Sequence, residues 1–115
     1  MSGEEMPTIG PGDLVVVHCA NPKEKLWGLI TALDAAGLTL RGLDLGSVED
    51  WLRQERSESQ PLIRPTTLFL PMHRVLRIDL EESSDAVESY GDRYAEACGR
   101  DVREALGGKT TGYHE

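Results

Sequence analysis

The sequence predicts a mainly β chain with added α: a small, strongly bent barrel of five short strands, a short helix in the insertion after the third strand, and helices at the C-terminal end. Three observations predict it. Leu76, Ile78 and Leu80 alternate with Arg77 and Asp79, the period-two pattern of a strand with one buried and one wet face. Three further apolar runs lie between Gly12 and Leu45, joined by short turns. Five such short strands are expected to close on themselves rather than lie open with two apolar faces.

The elements follow in order. Residues 1–10 hold Gly3, Pro7 and Gly10 and little that is apolar, so a disordered N-terminus is expected. Leu14–Ala20 is the first strand. Its triplet Val15, Val16, Val17 favours a pleated setting, and apolar residues on both faces suggest a central strand. Asn21-Pro22-Lys23-Glu24-Lys25 is a solvated turn. Leu26–Leu33 is the second strand, and Asp34 to Gly37 a tight turn. In the third strand, Leu38–Leu45, Leu38 and Leu40 share one parity and Leu43 and Leu45 the other, which predicts a β-bulge at Arg41-Gly42.

An insertion spans residues 46–65. Ser47 is read as the cap of a short helix that ends near Gln54 and is pinned by Trp51 and Leu52. Glu55–Pro65 is polar and reads as a loop. Thr66–Met72 and Val75–Leu80 are the last strands, so the barrel occupies residues 11–82. Residues 83–108 are the helical tail. Ser84 is the expected cap, and Val87, Tyr90, Tyr94, Ala97 and Cys98 form an apolar stripe. Gly99 marks the stop, and Asp101 caps a second short helix carrying Val102, Ala105 and Leu106. Residues 109–115 are expected to fray.

With 115 residues, 39% of them hydrophobic, one domain with a modest core is expected. No run of 18 apolar residues occurs, which excludes a membrane helix. Met1–Gly10 has no basic region followed by an apolar stretch, so no secretory signal is expected and a cytoplasmic location is. Cys19 and Cys98 lie far apart without CxxC spacing, the pattern of free thiols. Net charge is −8, and residues 81–115 carry nine acids against four bases. Residues 11–80 are nearly neutral, with nine acids and eight bases. Such a chain as a whole repels a phosphate backbone, so RNA is disfavoured as a partner.

The bent strands, with Asp34 in the turn after strand two and a Leu-rich strand after Gly37, resemble the first Sm motif. Thr66–Met72 and Val75–Leu80 resemble the second, in which a short strand, a one-turn break and a final strand pair with neighbouring protomers. The resemblance covers roughly residues 12–80 and implies an Sm-like small barrel that assembles into a dimer or ring. A Src-homology-type or KOW-like barrel has a similar strand order. The chain departs from the Sm-like RNA binders in two places. Ala35-Ala36-Gly37 replaces their Asn and stackable residue, and Leu70-Pro71-Met72 replaces their Arg-Gly pair. His73 is similar in position to a histidine used by the bacterial RNA-chaperone branch, among different neighbours. Ordinary uridine recognition is therefore not expected.

No phosphate loop, nucleophile elbow or zinc signature occurs. His18 and Cys19 are adjacent on a strand and point to opposite faces, which suits packing rather than metal binding or nucleophilic catalysis. Glu81, Glu82 and Asp85 read as solvated charge. No catalytic residue, metal or cofactor is assigned, and the expected function is a non-enzymatic interaction module. Its candidate partner-binding residues are Trp27, Arg41, Arg64, His73, Arg74 and Arg77. Its candidate oligomer edge is Thr67, Phe69 and Pro71, because unpaired edges invite strand addition. A homo-oligomer, a protein partner and, alternatively, RNA or single-stranded nucleic acid on the arginine face are the expected ligands.

Overall fold

A computed structural model of the chain describes residues 8–57 and 60–107. Five antiparallel strands form one sheet: β1 (Leu14–Cys19), β2 (Glu24–Asp34), β3 (Gly37–Asp44), β4 (Thr66–Pro71) and β5 (Val75–Leu80), in the order β4-β3-β2-β1-β5. Helix α1 (Val48–Ser57) follows β3 through a 3-10 turn, Leu45–Ser47. A second 3-10 turn, Met72–Arg74, joins β4 to β5, and α2 (Tyr90–Cys98) and α3 (Val102–Leu106) complete the chain. All five expected strands form, β1 lies between two neighbours, and the fold is mixed β and α. The sheet is not closed: β4 and β5 each pair with one strand only.

The open sheet does carry two apolar faces. On the outer face, Leu14, Trp27, Leu29 and Leu43 pack with Val48, Trp51 and Leu52 of α1, Tyr94 of α2, and Val102 and Leu106 of α3. On the inner face, Val15, Val17, Cys19, Leu26, Ile30, Leu38, Leu40 and Leu70 form a second cluster, with no helix packed on it among the described residues. Leu68 of β4 and Val75, Ile78 and Leu80 of β5 pack on that same cluster. The two edge strands thus curl toward one another over a shared core. Gly28 and Gly42 are directly paired, and a Cβ on Gly28 would lie 2.4 Å from the Arg41 carbonyl oxygen. Only glycine permits that approach.

This two-faced burial corrects the expected bulge. The β2–β3 register runs without a break through Arg41 and Gly42, and the irregularity falls on β2 between Ile30 and Ala32. Leu38 and Leu40 face the inner cluster while Leu43 faces the helices, so the parity change records two cores, and no residue is inserted there.

The tail packs on its own sheet. Helix α2 starts six residues after the expected Ser84 cap. Ser89 is the cap, its hydroxyl accepting from the Asp92 N–H at 3.0 Å. Glu81, expected to be solvated, accepts from the Tyr90 and Gly91 N–H groups at 2.7 and 3.2 Å. A carboxylate at the positive end of a helix is favoured there. Val87 therefore lies outside the helix and is 68% exposed. Gly99, with φ 75°, ends α2, and Asp101 caps α3 as expected. Helix α1 runs to Ser57, past Gln54, and the Gln54 side chain binds the backbone of Leu62 and Ile63 at 2.8–2.9 Å, holding part of the expected loop. Residues 1–7 and 109–115, expected to be disordered or frayed, lie outside the described residues, whereas Ile9 packs on the inner cluster.

Candidate functional site

Trp27 is the clearest departure among the candidate partner-binding residues. It is 0% exposed, and its ring lies 5.8 Å from Trp51 and 6.2 Å from Tyr90, centroid to centroid. It is a core residue and presents no face to a ligand. Cys19 is also buried and Cys98 half-buried, and both are free thiols. Burial pushes the Cys19 thiol above its ordinary pKa, the opposite of what a nucleophile needs.

The four candidate arginines do not all converge on one patch. Arg41 donates from Nε to the Leu106 carbonyl at 2.5 Å, tying β3 to the end of α3. Arg74 donates to the carbonyls of Ala20 and Pro22 at 3.1 and 2.8 Å, and its guanidinium pairs with Glu24 at 2.8 Å. It clamps the β1–β2 turn. Arg77 pairs with Asp79 along β5 at 2.9 Å. Asp79 also takes a hydrogen bond from His18 Nε2 at 3.0 Å, with the imidazole as donor. The Arg77 hydrogen bond is the main reason the Asp79 carboxyl sits below its ordinary pKa, with His18 adding to it. Arg64 and His73 are exposed, Arg64 before β4 and His73 in the turn before β5. Arg64 and Arg74 border one cleft, whereas Arg41 reaches α3 and Arg77 lies along β5, so the expected basic face is divided, and three of its arginines are already engaged within the chain.

The edges are better defined. In β4, Met72 donates its N–H to the Ala36 carbonyl at 2.9 Å. Backbone groups alternate in direction along a strand. The even residues therefore face β3, and Thr67, Phe69 and Pro71 turn their backbone groups to the open side. These are the three residues the sequence singles out. Phe69 is 54% exposed, and Thr66 and Thr67 are also exposed. Beside them lies a cleft of about 470 Å³ bordered by Leu26, Ile63, Arg64, Leu68 and Phe69. Pro71 has no N–H to leave unpaired, as suits an edge.

On the other edge, the resemblance implies pairing of Val75–Leu80 with a neighbour but singles out no residue. In β5, Glu81 donates its N–H to the Leu14 carbonyl at 2.9 Å, so Arg77 and Asp79 face β1 and Ile78 and Leu80 face outward, and the register shifts at Leu76, beyond which Ala20 donates its N–H to the Arg74 carbonyl. Leu76 is 70% exposed beside a cleft of about 320 Å³ bordered by His18, Pro22, Lys23 and Lys25. Alternation along Leu76–Leu80 was the available signal, but it says nothing of pairing and misplaces Leu76, expected on the buried face and found exposed because the β1–β5 register shifts there.

Among the described residues, no group of three or more His, Cys, Asp or Glu side chains is placed to hold a metal ion, and no helix is long and apolar enough to cross a membrane. Comparison with protein-family models, with curated proteins and with solved structures gives no match.

Proposed function

We propose that this chain is a cytoplasmic, non-enzymatic interaction module: a divergent Sm-like small barrel, left open, that self-assembles by strand addition at Thr66–Pro71 and binds a macromolecular partner. The observation that carries this reading is the β4 edge. Thr67 and Phe69 direct backbone groups away from the sheet, and the Phe69 ring is half exposed beside a cleft of mixed polar and apolar lining. A row of such groups is a template for an added strand, which the Sm resemblance expects from the neighbouring protomer. The short strand, single 3-10 turn and final strand of residues 66–80 support the Sm-like reading.

Light scattering coupled to size exclusion tests it. At roughly 100 μM the full chain should run above its monomer mass, since association follows mass action. Thr67→Pro removes an outward donor and leaves the β3 ladder intact, so it should lower that mass. A strict monomer overturns self-assembly; an unchanged Thr67→Pro oligomer overturns the β4 edge.

A further inference from the structure

We infer that two copies of this chain pair through their β5 edges, antiparallel about a two-fold axis centred on Ile78, so that Arg77 of each copy faces Asp79 of the other. This goes beyond the β4 reading, which leaves β5 unassigned.

The strand offers everything such a pairing needs. Among the described residues its outer side has no neighbour, and Ile78 and Leu80 point their N–H and C=O groups to it. Ile78 and Leu80 lie on the inner face, where the core only partly covers them. Leu76 sits at the register irregularity between Arg77 and Val75 and is exposed. Arg77 and Asp79 lie on the opposite face, next to His18.

A two-fold axis perpendicular to the sheet places residues of the same face opposite each other. Three registers then bring the centre of β5 together. Centring on Arg77 opposes two arginines. Centring on Asp79 opposes two aspartates. Like charges directly across a pair of strands are unfavourable. Centring on Ile78 opposes Arg77 with the partner's Asp79 twice. A register centred between two residues sets charged against apolar side chains and is excluded.

The backbone agrees with the charge argument. Because the groups of Ile78 point outward, Ile78 meets the partner's Ile78 as a pair that exchanges both hydrogen bonds. Arg77 and the partner's Asp79 then form the neighbouring pair without such bonds, where Cα atoms approach to about 4.5 Å and side chains are closest. Asp79 keeps its own His18 while it takes the second guanidinium. The same axis carries Glu82 of one copy toward the end of the other that bears Lys23 and Lys25, in a chain whose net charge of −8 otherwise opposes self-association.

The test uses charge reversal and cross-linking on the full chain. Arg77→Asp gives a copy with two acids at these positions, and Asp79→Arg a copy with two bases. Each alone should weaken the β5 dimer about tenfold or more, two like-charge contacts replacing two ion pairs. Mixed together they should form a heterodimer, because every cross-strand contact is then complementary while the contacts within each strand are not. Ile78→Cys in a Cys98→Ser background should cross-link on mild oxidation, since hydrogen-bonded partners lie about 5.5 Å apart, within disulfide reach.

Unaltered dimers in both reversal variants, or no heterodimer on mixing, overturn the proposal. So does faster cross-linking through Arg77→Cys or Asp79→Cys than through Ile78→Cys. The cysteine variants decide the matter if a reversal variant fails to fold. Thr67→Pro separates the two readings: loss of assembly there with none on charge reversal refutes the β5 pairing and keeps the β4 edge, and the converse refutes the β4 edge alone.

Discussion

The two faces of one sheet are built from different chemistry. The outer core holds Trp27, Trp51 and Tyr94, with Trp51 and Tyr94 stacked at 5.5 Å, and takes its cover from three helices. The inner core is Val, Leu, Ile and Cys, and takes its cover from its own edge strands. A concave surface closing on itself leaves room only for compact branched side chains. A convex surface diverges, and broad rings fill the space between sheet and helices. Helix cover is therefore a matter of filling volume, and the tail belongs to the core although it follows the last strand.

Four changes break or sharpen that contrast. Trp51→Ala removes the central ring of the outer core and should cost about 4 kcal/mol in denaturant unfolding, with the helices released first. Leu40→Ala on the inner face should cost about 3 kcal/mol, with no helix-specific loss. A third change concerns pH. Burial, together with the hydrogen bond to Glu55, pushes the Tyr94 phenol up to about 12 from 10, with Arg100 opposing. A pKa raised in the folded state contributes stability below the unfolded value that is lost as pH rises through the folded one. The outer core should thus lose about 2 kcal/mol between pH 10 and 12. Tyr94→Phe should remove that alkaline difference while Leu40→Ala keeps it, as thermal melts across the window will show. The smallest effect is expected for Ser89→Ala, about 1 kcal/mol, visible as loss of α2 with the inner face unchanged.

The same contrast explains what could be read in the residues. Strands announce themselves by local alternation, so all five were legible, as were Gly99 and Asp101 at the helix ends. The bulge was misplaced because a parity change between Leu40 and Leu43 means an inserted residue only where one face is buried. Ser84 and Ser89 are equivalent as local caps, and the choice between them is made by Glu81, which reaches the α2 N-terminus from the end of β5. Arg74 looked like an available cation because the carbonyls it clamps, Ala20 and Pro22, lie more than fifty residues earlier. Trp27 sits in an alternating strand like any other, and only the docking of Trp51 and Tyr90 reveals which face it takes. The Thr67, Phe69, Pro71 edge was legible because a Pro at a strand end already implies an outward position.

Both tryptophans of the chain meet at the junction between sheet and helices, and none lies on the inner face. Indole fluorescence and near-ultraviolet dichroism are consequently reporters of helix docking alone. A state that sheds α2 and α3 while keeping its curled sheet would look denatured to light and remain protected to amide exchange. Emission and exchange should be followed on the same sample, because the gap between the two midpoints measures how far the two cores unfold independently.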